Sequence, residues 1–260
     1  PSFYRPFHWA LLAIAAQRCN IKSLEMSGYD KKFEKYAARM HLWKALGLKS
    51  PVHVNERDPT GRFHPLTRLD SNDAVDVVSN KLSALFGEPS TETVQSVGIA
   101  VAELVGNSFS HSNISSGLRG FVCAQKWPRV NTAQIAIVDQ GVGIRESLAS
   151  AKEYSEKLKT TNACELATKY EVTSKRGNGH AGYGLTLAKD LLAESGGAFF
   201  LLSHDEYYYM KAGHEDRGSL DHPLHGTLVV LEWNTNVPLV AESVYNSWPH
   251  PEGDYDDFNF

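Results

Sequence analysis

Apolar residues recur at the three-and-four spacing of an amphipathic helix in five segments of the chain. These segments are residues 6–18, 30–46, 73–86, 91–112 and 185–194. Gly47 is a stop signal for the second helix, and Gly196 with Gly197 stops the fifth. The fourth helix places its apolar face on Val94, Val97, Val101, Leu104, Val105 and Ser108. We therefore expect this helix to pack with one face against a core.

Short runs rich in branched and aromatic residues predict strands between these helices. They cover residues 63–69, 120–126, 133–139, 198–203, 206–210 and 226–233, with a short strand-like IKSLEMSG after the first helix. A long polar stretch, 144–176, has some helical character. Helices and strands together predict a protein of the α/β class.

Composition divides the chain into four predicted parts. Residues 1–50 form a small N-terminal α/β segment, and since the chain begins at Pro1 without a methionine we expect it to belong to a larger module. Residues 51–71 hold three prolines and a glycine and are typical of a connector. Residues 72–236 form the main domain, and residues 237–260 are predicted to be an acidic, loosely ordered tail.

The overall composition is typical of a globular protein rather than of a disordered, nucleic-acid-binding or membrane-spanning one. Among 260 residues, 42% are hydrophobic and the net charge is only -4, which excludes disorder as the main state. The charge balance indicates no nucleic-acid surface, and the longest early apolar run, 9–16, is too short to span a membrane. The three cysteines are far apart, as is typical of reduced thiols. We therefore expect a cytoplasmic protein.

The fourth helix also carries a polar seam. Glu103, Asn107 and His111 recur every four residues, and each step of four turns a helix by only about 40°. A carboxylate, a carboxamide and an imidazole therefore leave neighbouring parts of one face. This seam is explained equally well by a solvated helix face.

Two glycine motifs follow further along the chain. Asp139, Gly141 and Gly143 come directly after the strand residues IAIV, where an acid can accept hydrogen bonds from an amine and a flat ring can approach the backbone. A tight turn explains them as well. The second motif is RGNGHAGYGL before the helix 185–194, where free amide groups and the helix dipole favour phosphate oxygens. The alternative for this loop is a flexible hinge.

Together with a late Gly226-Thr227, these pieces in this order resemble the GHKL superfamily of ATP-binding proteins, over about residues 72–234. That family includes the ATPase domains of gyrase B, the large heat-shock chaperone, histidine kinases and MutL. The resemblance implies the Bergerat fold, which is a two-layer α/β sandwich with a mixed sheet and helices on one face. It also implies ATP and Mg2+ as cofactors, with residues 144–177 as a mobile lid over the phosphates.

The resemblance also implies roles for individual residues. Glu103 corresponds to the residue that polarises the attacking water, and Asn107 to the magnesium ligand. Asp139 corresponds to the acid that holds the adenine amine. Lys175 and Arg176 are candidate phosphate-side cations or solvated charges, and His111 either approaches a phosphate or bonds its neighbours. The predicted nucleotide-binding residues are Asn107, His111, Asp139, Gly141, Gly143, Lys175, Gly179, Gly182, Tyr183, Gly184, Leu185 and Thr227.

Three functions follow from this resemblance. The first is Mg-ATP binding with slow hydrolysis, coupled through lid closure to a protein partner or to the protein's own upstream domain. The second is a serine protein kinase of the anti-sigma-factor sort, and the third is a nucleotide sensor without turnover. The first 50 residues loosely resemble the end of a STAS-like module, which implies regulation by partner binding.

Two sets of histidines complete the sequence picture. His8 and His41 lie on predicted helices but lack the surroundings of a phosphoacceptor, so we interpret them as ordinary helix residues. The irregularly spaced histidines near the C-terminus are interpreted as part of a solvated hairpin loop rather than as a metal site. These are His204, His214, His222 and His225.

Overall fold

The structure is a computed structural model that describes residues 4–26, 28–55, 58–71, 73–86, 90–110, 117–175 and 182–249. Within these ranges five strands form a single sheet. They are β1 (Phe63–Leu69), β2 (Gly120–Trp127), β3 (Thr132–Asp139), β4 (Ala198–Lys211) and β5 (His214–Asn234). Their order across the sheet is β1-β2-β3-β5-β4, and every neighbouring pair is antiparallel.

The described residues also form nine helices of very different length. They are α1 (Pro6–Arg18), α2 (Lys31–Arg39), α3 (Leu42–Leu46), α4 (Ala74–Leu85), α5 (Thr91–Ser110), α6 (Ile144–Ala149), α7 (Ala163–Ala167), α8 (Gly184–Glu194) and α9 (Ala241–Ser247). Short 3-10 turns cover Pro128–Val130, Lys152–Tyr154 and Lys157–Lys159.

The predicted α/β sandwich is confirmed, but it differs from the expectation in two details. The sheet is antiparallel throughout rather than mixed, and helices cover both of its faces rather than one. The second difference has a cause in the central strands. All residues from Ala133 to Val138 of β3 are buried, so side chains on both faces of that strand need a covering layer.

Helix α1 supplies that second layer. Trp9, Ala10, Ala13 and Ile14 are fully buried and share a cluster with β2 and β3 residues such as Phe121. Alanine at two of these positions lets the helix approach the sheet closely. The first fifty residues therefore share a core with the sheet, while the division of the chain into domains stays a prediction.

The predicted helix over 30–46 is divided into α2 and α3. His41, between them, has a left-handed backbone with φ 61°. The carbonyl of Met40 accepts a hydrogen bond from the Leu66 amide of β1 at 3.0 Å, which replaces a bond within the helix. The described residues of the strand-like IKSLEMSG form no strand, and the Leu24 carbonyl there accepts from the Trp43 indole.

The other face of the sheet carries α4, α5, α8 and α9. The predicted apolar face of α5 is confirmed at five of its six positions, because Val97, Val101, Leu104, Val105 and Ser108 are all buried there, whereas Val94 is half-buried. The observed helix is described as far as Ser110, so the end predicted at residue 112 lies outside the described residues.

Strands β4 and β5 form a hairpin that is longer than predicted. The turn lies at Ala212 and Gly213, and an irregularity between Ser203 and Glu206 lets β4 continue through His204. The predicted solvated loop is therefore strand, although His214, His222 and His225 on β5 are exposed. Within the described ranges no group of three His, Cys, Asp or Glu side chains has the arrangement of a metal site.

The chain after β5 is also more structured than predicted. The amides of Leu239 and Ala241 donate to the hydroxyls of Thr93 and Ser96 on α5, at 3.0 and 2.8 Å. Val244 of α9 is fully buried. The predicted loosely ordered tail is thus wrong for residues 239–249, and residues 250–260 lie outside the described part. Across the described helices, none has both the length and the apolarity needed to cross a membrane.

Candidate functional site

A cavity of about 110 Å³ lies between α5, α8 and the end of β3. Helix α6 and the residues after it close another side. Its lining mixes apolar residues such as Ile137 with polar ones. The lining includes Glu103, Leu104, Asn107, Ile137, Asp139, Gly141, Gly143, Gly182, Tyr183, Gly184, Leu185, Thr227 and Val229.

The polar seam of α5 reaches this cavity next to the start of α8. Glu103 is exposed and Asn107 is half-buried, and neither side chain has a hydrogen bond from the described residues. Gly184 permits this proximity. A Cβ at residue 184 would lie 2.8 Å from Cβ and 3.1 Å from Oε2 of Glu103, and 3.6 Å from Nδ2 of Asn107. Only glycine therefore fits here without a shift of α8 or α5.

Asp139 lies at the end of β3, where the strand leaves the sheet. Its Oδ1 accepts hydrogen bonds from the amides of Gly141 at 2.7 Å and Thr227 at 3.1 Å. Oδ2 has no hydrogen-bond partner among the residues that the structure describes. Burial raises the pKa of Asp139 to about 7, although the two amide bonds act in the opposite direction. Asp139 therefore has one oxygen that no described residue bonds, and its carboxyl group loses its proton near neutral pH.

Gly226 explains how β5 comes so close to Asp139. Its φ is +114°, and a Cβ there would lie 2.0 Å from the carbonyl oxygen of Asp139. A side chain at this position would force the two strand ends apart and would break the Thr227 bond to Asp139. Glycine is therefore needed at residue 226 so that the next residue, Thr227, can bond to Asp139, and two residues of sequence alone do not reveal this requirement.

Ser203 on β4 links three parts of the site, and the sequence analysis did not identify it. Its buried hydroxyl accepts from the Ile144 amide at 2.8 Å and donates to the Gly226 carbonyl at 3.1 Å. The same hydroxyl lies 3.3 Å from Oγ1 of Thr227. An isolated serine in a predicted strand carries no sequence signal for such a role.

Gly143 brings α6 against β4. It has φ +86°, and a Cβ there would lie 2.3 Å from the His204 ring. His204 Nε2 lies 3.0 Å from the Val142 carbonyl, and the ring packs edge-on against His225. His204 therefore supports the turn after β3 in this structure, and His225 packs beside it.

Residues 144–175, which we call the covering segment, form one wall of the cavity. The segment has its own small core of Leu148, Tyr154, Leu158, Ala163, Leu166 and Ala167. Arg145 pairs with Glu206 of β4 through two hydrogen bonds of 2.6 and 2.7 Å, and also donates to the carbonyls of Leu158 and Thr161. These contacts fix the base of the segment to the sheet.

In the Arg145–Glu206 ion pair the carboxylate is largely shielded from solvent, since the Glu206 side chain is 11% exposed. Burial alone would raise the pKa of Glu206, but the hydrogen bonds from Arg145 and the Ala163 amide outweigh it and hold the pKa below its usual value. The sequence analysis missed this pair because its members are 61 positions apart.

The start of α8 borders the cavity at Gly182 and Tyr183. Gly182 has φ +81°, and a Cβ there would lie 3.1 Å from the backbone carbons of Glu171 and Val172. The Tyr183 hydroxyl donates to Oε1 of Glu171 at 3.3 Å. A hydrogen bond with Tyr170 is the main reason why the pKa of Tyr183 is raised. The end of the covering segment therefore lies directly against the N-terminal end of α8, at Gly182 to Gly184, which we call the mouth of the helix.

The structure brings most of the predicted site residues together. Ten of them line the cavity: Glu103, Asn107, Asp139, Gly141, Gly143, Gly182, Tyr183, Gly184, Leu185 and Thr227. Lys175 does not line it, because its ammonium group donates to the Ser110 carbonyl at the end of α5. His111, Arg176 and Gly179 lie outside the described residues.

No family model matches the chain. No curated protein matches it either. Among solved structures, the chain is similar to the histidine kinase domain of the blue-light activated histidine kinase from Erythrobacter litoralis EL346. The identity is 13% and the TM-score is 0.31, with 89% of this chain and 88% of that chain covered.

Proposed function

We propose that this chain is a Mg-ATP-binding domain of the GHKL type that hydrolyses ATP slowly. One observation carries the proposal. Three motifs that are far apart in sequence line a single cavity: the Glu103 and Asn107 seam, Asp139, and the helix mouth at Gly184. Each motif alone has a simpler explanation, but a solvated helix face, a tight turn and a hinge do not need to converge.

Asp139 is the proposed acceptor for the adenine amine. Its Oδ1 is occupied by two backbone amides, which orient the carboxyl group and leave Oδ2 for a further donor. Apolar side chains of Leu104, Ile137 and Val229 line the same cavity and suit the faces of a flat ring. A buried acid that holds an amine gains a partner for its charged form, which offsets the cost of its burial.

The mouth of α8 is the proposed phosphate site. Helix N-termini present unpaired amide groups and a positive dipole end, and Gly184 keeps side chains away from them. Asn107 offers a carboxamide oxygen beside this mouth, which is the donor type that Mg2+ prefers, so this residue together with nucleotide phosphates fits the ion. A bound Mg2+ supplies charge neutralisation for the phosphates.

Glu103 is the proposed group that polarises the attacking water. Its carboxylate is exposed to solvent and has no hydrogen bond from the described chain, so it is available to accept a proton from water. Slow turnover is expected because the candidate phosphate-side cation that the structure describes, Lys175, is bonded to the Ser110 carbonyl. Phosphoryl transfer depends strongly on cations at the developing charge.

Nucleotide entry requires the cavity to enlarge. Its volume of about 110 Å³ is below the roughly 300–1,000 Å³ of typical ligand sites. The covering segment is one wall, and its base is held by Arg145 and Glu206. We therefore propose that the part near α8 moves outward, and that this movement changes the surface presented to a protein partner or to an upstream domain.

The test compares phosphate release and ATP affinity in Glu103→Gln and in the unaltered protein. We expect turnover to fall by about 10²-fold or more, since this is the usual contribution of a general base, while ATP affinity is nearly retained. Glu92→Gln is the matched control, because Glu92 lies exposed in the first turn of the same helix. Unchanged turnover in Glu103→Gln would refute the assigned role. Labelled phosphate found on a protein rather than in water would select the kinase alternative.

A further inference from the structure

The C-terminal part of the described chain contacts both sides of the cavity entrance. Trp248, directly after α9, packs against Tyr170 of the covering segment at 5.2 Å between ring centroids. It also packs against Tyr183 at the mouth of α8, at 5.3 Å. A single indole therefore bridges two elements that have to separate if the covering segment opens.

Hydrogen bonds hold this indole in place. Trp248 Nε1 donates to Oδ2 of Asp190 on α8 at 2.9 Å. The Tyr170 hydroxyl donates to the carbonyl of Pro249, the next residue, at 3.3 Å. The tyrosine ring of Tyr170 also stacks on Tyr183 at 5.1 Å. Three aromatic rings and two hydrogen bonds thus join the covering segment, α8 and the C-terminal residues at one point.

The same C-terminal segment is anchored independently of this aromatic cluster. The amides of Leu239 and Ala241 bond to hydroxyls of α5, and Val244 is fully buried. The pKa of Tyr245 on α9 is raised, first by burial and then by the negative charge of Glu103. The anchored helix therefore lies close to the proposed reaction residue while its end contacts the entrance.

We propose that residues 239–249 are a latch that holds the covering segment closed against α8 and so controls how fast a nucleotide enters and leaves. The proposal rests on the function proposed above. It identifies a regulated element: a partner that binds Trp248 or displaces α9 opens the site. The contacts of Leu239 and Val244 with the rest of the protein keep the C-terminal residues attached when the aromatic contacts of Trp248 are released.

Trp248→Ala tests the latch in the protein without nucleotide. We expect the rate of amide hydrogen exchange in residues 166–175 to rise by about tenfold or more. The change removes ring contacts and a hydrogen bond, and each of these stabilises the closed state by about 1 kcal/mol. Trp127→Ala is the matched control. Trp127 is the last residue of β2, at the opposite end of that strand from Gly120, which pairs with Asp139. Exchange in residues 166–175 that stays at the unaltered level in Trp248→Ala would overturn the latch.

A second readout uses a fluorescent ATP analogue as the probe. In Trp248→Ala we expect both association and dissociation to be faster by about tenfold, with a much smaller change in affinity, because the latch contacts neither the proposed adenine nor magnesium residues. Faster amide exchange with unchanged nucleotide rates would overturn the gating role. If the unaltered protein binds no nucleotide, the proposed function fails, and the amide exchange alone decides whether the latch holds.

Trp248→Phe separates stacking from hydrogen bonding. Phenylalanine keeps an aromatic ring against Tyr170 and Tyr183 but cannot donate to Asp190. We expect amide exchange between that of the unaltered protein and that of Trp248→Ala. Exchange in Trp248→Phe that exceeds that of Trp248→Ala would contradict a latch built on these contacts.

Discussion

Asp139→Asn should make the protein more stable at high pH, although it removes a proposed binding residue. The pKa of Asp139 is raised from 3.8 to about 7 by burial. In the unfolded chain the acid loses its proton near 3.8, whereas in the folded protein it keeps the proton up to about 7. The folded state therefore binds more protons across this window, and its stability falls as pH rises from 3.8 to 7.

The size of the effect follows from the shift. Each pKa unit corresponds to about 1.36 kcal/mol, so the full shift costs about 4 kcal/mol above pH 7, and the part between pH 5 and pH 8 is about 2–3 kcal/mol. Asparagine has no charge to bury and its carbonyl oxygen can still accept from the two amides that now bond to Oδ1. The stability of Asp139→Asn minus that of the unaltered protein should therefore increase by this amount from pH 5 to pH 8.

Urea unfolding followed by the fluorescence of the five tryptophans measures this difference at pH 5, 6, 7 and 8. Asp73→Asn is the control, because Asp73 is exposed and makes no side-chain capping bond. Its stability difference should stay flat over the same range. A flat difference for Asp139→Asn, or one that falls with pH, would show that Asp139 is not a costly buried charge.

Other positions give independent tests. Gly184→Ala should cost about 1–3 kcal/mol in unfolding free energy through overpacking against Glu103 and should weaken ATP binding in calorimetry, whereas Gly106→Ala, with open space at its Cβ, should do neither. Glu206→Gln should destabilise the protein by about 1–3 kcal/mol in urea unfolding, because it leaves a guanidinium group without its charged partner. ATP binding at pH 6 should release a proton, seen as a buffer-dependent binding enthalpy, and this release should be much smaller at pH 8, where the Asp139 carboxyl is already ionised before ATP binds.

The elements with strong local patterns were predictable. Helix α1 was predicted with its observed bounds, and β1 likewise. The same holds for the apolar face of α5, where several valines and leucines repeat at helical spacing. The seam of Glu103 and Asn107 followed from that spacing alone.

What the sequence did not reveal depends on contacts between distant segments. The break at His41 requires the Leu66 amide as a replacement donor, and no local pattern indicates that bond. Ser203 and the Arg145 to Glu206 pair join segments about sixty positions apart. The second helical layer was missed because complete burial of β3 on both faces becomes visible only when its neighbours are known.

Isothermal titration calorimetry with ATP and magnesium, on the unaltered protein and on Asp139→Asn, tests the central claim most directly. We expect measurable ATP binding by the unaltered protein and its loss in the variant, while urea unfolding shows that the variant is folded. Equal affinity in the two proteins, or no binding by the unaltered protein, would contradict the assignment of this cavity to a nucleotide.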